Sequence, residues 1–199
     1  MFQSPSSPDA RLPAAPQIAL PALEVFPADV LVRATATEIR AKFTQPSNVT
    51  LRQIIETANE ESKRLYKRVA VFLGHLEGVE GLDAISEHEK THEFSILMNT
   101  RYKSRTDQVE ILKKDGMQPA PASSVIVAAA IFRVVHGFPK YGPHIGQKED
   151  PGCLFNGVVV RAAECSIVSY DIGLDLYFDH NLGGRPNFIM AGSPHQSPT

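Results

Sequence analysis

Cysteine is scarce in this chain, with Cys153 and Cys165 the only two among 199 residues. Two thiols cannot build a disulfide framework, and their spacing is not that of a metal site. Buried thiols in a reducing compartment are the expectation. Long apolar runs are missing as well. The longest, "VIVAAAIF", falls far short of the about 20 residues that cross a bilayer. The opening "MFQSPSSPDARLPAAP" has neither the basic stretch nor the apolar stretch of a secretory leader. Charge of one sign is also lacking. A net charge of −2 gives no global attraction to nucleic acid, so any such contact has to come from a local patch. No G-x-S-x-G, P-loop or G-x-G-x-x-G is present, which removes the motif-borne arguments for a serine hydrolase, a nucleotide hydrolase or a dinucleotide enzyme.

What remains is the composition of an ordinary soluble domain, 43% hydrophobic and 21% charged, long enough to bury one core. Residues 1–22 carry Pro5, Pro8, Pro13, Pro16 and Pro21 among few charges, a composition that predicts a mobile arm. Residues 193–199 read as a flexible tail, leaving a single domain over 23–192.

"DVLVRATATEIRAKF" alternates as one strand, and Ser47 or Asn48 is positioned to cap a helix after it. Apolar residues from Leu51 to Leu73 recur every three or four positions, predicting that helix over Val49–Leu73, stopped at Gly74 and open to a break near Asn59. "HEFSILMNTRYKSR" reads as strand, "KKDG" as a turn, "MQPAPASS" as a loop. "SVIVAAAIFRVVHG", capped by Ser124, is either a buried helix or a buried strand over 125–136, since periodicity does not separate the two. A Gly/Pro-rich loop comes next, then two or three strands in "LFNGVVVRAAECSIVSYDIGLDLYF" and a turn at "DHNLGGRP". Strand, helix and a run of strands predict an α+β fold, helices packed on a mainly antiparallel sheet.

One motif points to catalysis. His88-Glu89-Lys90-Thr91-His92 spells H-E-x-x-H. On a helix the two histidines share a face and hold zinc while the glutamate takes a proton from bound water. The surroundings argue against it. Glu87, Lys90 and Glu93 place charge where a buried zinc helix needs packing residues, Ser95 and Met98 stand where a third-ligand motif needs glycine and histidine, and Glu110 is a remote stand-in. The expectation is a solvated, charged segment with no metal and no catalytic residue. A zinc-dependent hydrolase using His88, His92 and Glu89 is the alternative. Asp179 beside His180, and His136 or His144 with Cys153, have no geometry fixed by sequence.

The other concentrated feature is basic. "SKRLYKRVAVFLG" places Lys63, Arg64, Lys67 and Arg68 within six residues, away from an inward face of Leu65, Val69 and Phe72. Arg101, Lys103 and Arg105 continue the basic character toward Lys113 and Lys114. The plain reading is a solvated helix face. The functional one is contact with an anionic membrane surface or a nucleoprotein.

Tyr66, Lys67, Phe72, Leu73 and Gly74 resemble the "aromatic, Lys, apolar pair, F-L-G" segment of vesiculovirus-type rhabdovirus matrix proteins. Phe155–Asp171 resembles the late strand pair of that family, which also ends in Tyr-Asp. The order of arm, strand, helix, strands, long loop and closing strand pair is similar too. Two family features are absent: a lysine-rich arm, since Arg11 is the only cation in the first 30 residues, and a P-P-x-Y motif. The resemblance implies a virion structural protein found in host cytoplasm and peripherally on membrane. Such a protein self-associates as a homo-oligomer and bridges a viral nucleocapsid to the membrane, without sequence-specific contact to nucleic acid. A viral or bacterial accessory protein with a binding role only is a third reading.

Overall fold

The computed structural model describes residues 30–34, 38–136, 159–170, 173–177 and 188–194. The expected arm, the Gly/Pro-rich loop at 137–152 and the "DHNLGGRP" turn lie outside them, as do His144, Cys153 and the Asp179–His180 pair. The fold is α+β, as expected. Eight strands form one sheet in the order β1-β2-β3-β8-β5-β6-β7, with β4 also pairing to β8. All pairs are antiparallel except β5 with β8.

The expected single strand is a hairpin. β1 (Val30–Ala34) and β2 (Glu38–Gln45) pair from Val30↔Phe43 to Ala34↔Ile39. Alternation alone runs straight through such a turn, because both arms share its period of two. β2 alternates buried Ile39, Ala41, Phe43 and Gln45 with outward Arg40 and Lys42. β3 (Lys90–Leu97) pairs with β2 along its whole length, setting His92, Phe94 and Ile96 opposite Phe43, Ala41 and Ile39 on one face.

α1 (Leu51–Tyr66) is capped by Thr50, neither Ser47 nor Asn48. Gln53 N–H donates to Thr50 Oγ1 at 3.1 Å and Thr50 N–H to Gln53 Oε1 at 2.8 Å, a reciprocal capping box. Asn48 instead takes a positive φ of 60° in the preceding turn and donates its N–H to Ser86 O.

α1 also stops earlier than the apolar spacing predicts, at Lys67, which takes a left-handed φ of 59°. From there the chain doubles back over the helix. Asn59 Nδ2 donates to Val71 O at 2.8 Å and Val71 N–H donates to Asn59 Oδ1 at 2.8 Å, so one side-chain amide serves as a strand partner. Ser62 Oγ donates to Arg68 O at 2.8 Å. Buried Ala70 and Val71 thus cover Asn59 and Ser62, and the apolar stripe continues without the helix. Leu76, Val79 and Leu82 then bury the following loop. It is fastened to α1 by Arg52 N–H to Leu82 O and by the two-pronged pair of Arg52 with Asp83.

α2 (Arg105–Lys114) occupies a charged stretch in which the sequence pattern marks no element. Ser104 caps it, and Lys113 pairs with Glu110 on its exposed side at 2.9 Å, so Glu110 is an exposed helix residue. Its apolar stripe is thin: Leu112 and half-buried Val109 meet Leu97, Met190 and Met117. β4 (Met117–Pro119) stands where a loop was expected, and α3 (Ala122–His136) settles the helix-or-strand question at 125–136 as helix. From Ala122 to Val134 every α3 side chain is buried, wedged between α1 and the sheet. A helix buried all round has no polar stripe for sequence to show.

β5 (Val159–Arg161), β6 (Ser166–Tyr170) and β7 (Gly173–Tyr177) form a meander. β8 (Phe188–Pro194) carries the sheet through Ser193 and Pro194, two residues into the expected tail. α1 and α3 cover the face holding Ile39, Phe43, Phe94 and Ile96, and α2 covers the opposite one. Cys165 is buried and its thiol is pushed up to about 12, chiefly by desolvation, an inert core residue as expected of it.

Candidate functional site

The geometry of the H-E-x-x-H segment is extended. His88 is exposed in the loop before β3, and His92 lies within β3. The shared helical face that the zinc reading requires is therefore missing. The expectation of a solvated, charged segment holds for Glu87, His88, Glu89 and Lys90, all exposed, and fails for His92.

His92 is half-buried and stacked on Phe43, ring centroids 4.8 Å apart and planes within 6°. Its Nδ1 lies 2.9 Å from Ser124 Oγ and its Nε2 2.9 Å from Gln45 Oε1. Gln45 Nε2 donates to Val49 O, so the amide oxygen faces the ring and accepts. Nε2 then carries the ring proton, leaving Nδ1 to accept the Ser124 hydroxyl. One chain of hydrogen bonds ties β2, β3 and α3 together.

A serine hydroxyl donating to a histidine invites a nucleophilic reading, and the electrostatics oppose it. A general base must become imidazolium as it takes the proton. Desolvation first, and then the Lys90 charge, push His92 down from its ordinary value to about 4. Its other nitrogen faces a neutral amide where a carboxylate would stabilise positive charge. At neutral pH the ring is held neutral, and its two hydrogen bonds fix Ser124 and Gln45 in place.

His92, Gln45 and Ser124 line a cleft of about 460 Å³. Its second wall is the 80–86 loop, held by the Arg52–Asp83 pair and by Asn48 N–H to Ser86 O. The far wall is Gln118 of β4, Ser193 of β8 and Glu164 from the tip of the β5–β6 hairpin. That tip is docked by Ala163 N–H to Ala120 O and by Arg105 Nη2 to Ala163 O at 2.7 Å. Glu164 Oε2 accepts the Ala122 N–H at 2.7 Å, placing a carboxylate at the N-terminus of α3. Sequence reasoning missed this site, although His92, Phe94 and Ile96 share one face by simple alternation. That pattern marks His92 as the polar member of an inward row.

The basic residues are dispersed differently from their order in sequence. Lys63, Arg64, Lys67 and Arg68 are exposed at the C-terminal end of α1 and just beyond it. Arg64 is ion-paired with Glu61, itself buried, and that contact holds the carboxyl below the usual range. Arg101 lies over the Tyr102 ring, 5.0 Å from its centroid, and Lys103 is exposed. Arg105 binds the Ala162 and Ala163 carbonyls, a structural tether. Arg101–Arg105 lead into α2, whereas Lys63–Arg68 close α1 on the other face of the sheet, so the structure separates the two basic segments.

The His92 network predicts a pH dependence of stability. The folded value lies below the ordinary one, so as pH falls the unfolded chain gains this proton first. Stability is complete above about pH 6.5 and declines toward pH 4, by at most about 3 kcal/mol and less with the ring's partial exposure discounted. Urea midpoints of wild type and His92→Asn should converge across that window. Parallel curves would remove His92 from the account.

No helix among the described residues is long and apolar enough to cross a membrane, and none of their His, Cys, Asp and Glu side chains group by three or more to hold a metal ion. Comparisons with family models, with curated proteins and with solved structures gave no match.

Proposed function

We propose that the protein is a non-catalytic, matrix-like structural protein that self-associates and bridges a nucleocapsid to a membrane, docking peripherally through the end of α1 and the turn beyond it. The observation supporting this is the segment Lys63–Gly74. It exposes Lys63 and Lys67, outside any ion pair among the described residues, and exposes Leu73 at 41% where most large apolar side chains are covered. Cations beside an exposed apolar side chain suit the interface of an anionic bilayer.

The magnitudes require self-association. Glu60 and Glu61 offset two of the four charges at Lys63, Arg64, Lys67 and Arg68, leaving a net +2. At about 1 kcal/mol per charge near an anionic surface, a single copy gains about 2 kcal/mol, weaker than millimolar attachment. An array of copies multiplies that into stable binding.

Flotation with vesicles rich in phosphatidylserine tests the reading. Protein should float at low salt and be released at a few hundred millimolar, where the Debye length is several ångströms. Lys63→Glu with Lys67→Glu should abolish flotation and keep the fold, because both side chains are exposed. Equal flotation of the two proteins, or none of either, would leave the segment a solvated helix end.

A further inference from the structure

β3 pairs with β2 over all eight of its residues but with β8 only at Ser95, Ile96 and Leu97. Past Gly192, β8 is paired on its other edge, with Ser193 opposite Gln118 and Pro194 opposite Met117. The outer edge of β3 from Lys90 to Phe94 therefore has no strand beside it among the described residues. In an antiparallel strand, alternate residues turn both N–H and C=O away from a given neighbour, so this edge presents main-chain groups that no described strand pairs. Five residues of open edge span about 16 Å.

The notch beside that edge is the cleft. Its lining has three carboxylates, Glu80, Glu93 and Glu164, against one ammonium, Lys90, and Glu93 is also 4.0 Å from the exposed Arg40 guanidinium. Ser123 also lines it, only 4% exposed, and its hydroxyl has no hydrogen-bond partner among the described residues. Glu164 uses Oε2 on the Ala122 N–H and keeps its second oxygen for another donor. An anion is disfavoured at the end of α3, because the Glu164 carboxylate already holds that position and repels a second negative charge.

We propose that this cleft binds an extended, basic segment of a partner protein. The segment adds as a strand to the open edge of β3 and places an arginine or lysine side chain against Glu164 and Ser123. Main-chain pairing with β3 supplies the attachment. The residue of the added strand that turns toward α3, on the face His92 occupies, brings its charged donors to the free Glu164 oxygen and the Ser123 hydroxyl. Glu80 favours positive charge along the rest of the segment. This inference does not depend on the membrane-docking reading.

Nitrogen-15 spectra of the full chain, titrated with capped seven-residue peptides, test it. A peptide alternating threonine and arginine should shift the amides of Thr91–Phe94, Ser123 and Ser193 and saturate below about a millimolar. The same peptide with a central proline, which lacks the N–H for pairing, should leave them unmoved. Glu164→Gln retains an acceptor for the Ala122 N–H and should weaken binding about tenfold with its spectrum otherwise preserved; Ser123→Ala should weaken it less. Equal shifts from a threonine–glutamate peptide, shifts of the Ser123 and Ser124 amides by inorganic phosphate, or no shifts with any probe would each overturn the proposal.

Discussion

Replacing Asn59 with alanine is expected to cost about 2–5 kcal/mol of stability and to open the chain after α1 to protease. Asn59 is 4% exposed and Val71 1%, so neither the N–H nor the C=O of Val71 finds water when the amide is removed. Each buried main-chain group left without a partner costs about 1–3 kcal/mol. Ser62 Oγ still holds Arg68 O, but a single bond does not keep the returning segment closed. Trypsin should then cut after Lys67 or Arg68 in the variant, while the wild type resists there. Ser62→Ala, which removes one bond, should show a smaller loss of about 1 kcal/mol. A urea midpoint for Asn59→Ala within experimental error of wild type would show that the returning segment is held by apolar contact alone. Because this segment also carries Leu73 and lies just past the exposed lysines, the variant should lose flotation along with stability.

Gly192→Ala should be nearly as damaging, for a different reason. Gly192 is the position at which β8 faces both β3 and β4, paired with Ser95 and with Pro119. A methyl group there would overlap Leu112 Cδ2 and lie 3.2 Å from Met117 Sδ and 3.3 Å from Met117 Cβ. Leu112 is fully buried, so its side chain has to shift within the packed core to admit the methyl group. Overpacking of this kind costs about 1–3 kcal/mol, and Gly192→Val should exceed it. The diagnostic is rescue. Leu112→Ala alone should destabilise by leaving a cavity, yet combined with Gly192→Ala it should cost less than the sum, because each change accommodates the other. Additive losses in thermal melts would show that β8 shifts as a whole and the close approach of α2 to Gly192 is not the constraint.

Both predictions rest on features the sequence conceals. Asn59 stands where the apolar stripe thins, and the stripe resumes at Leu65, Val69 and Phe72 with helical spacing. The helix was therefore expected to run on to Leu73. The side-chain amide ends that, by offering the main chain a partner better placed than another helical turn. Gly192 sits in "MAGSPH", where glycine before serine and proline looks like the beginning of a tail. Only the packing of α2 onto β8 gives its missing side chain a purpose. α2 itself is hard to read because just Leu112 and Val109 anchor it, while its charged positions carry the composition of a loop.

The sequence by itself determined the α+β class, the first three turns of α1, a strand at β3 though not its end at Leu97, strands in the stretch holding β5 to β7 though not their number, and the burial of Cys165. These follow from periodicity, turn residues and composition, which are local. It also identified His92 as a residue of interest, though for a helix that does not form. The tertiary structure alone decided that "VIVAAAIF" is helical, since a segment buried on every side carries no polar stripe to mark its period. It alone decided that β8, late in the chain, enters between β3 and β5, because strand order depends on contacts between distant segments. The same long-range pairing brings β3, Ser123 and Glu164 to one cleft, made of residues that meet only when the sheet closes.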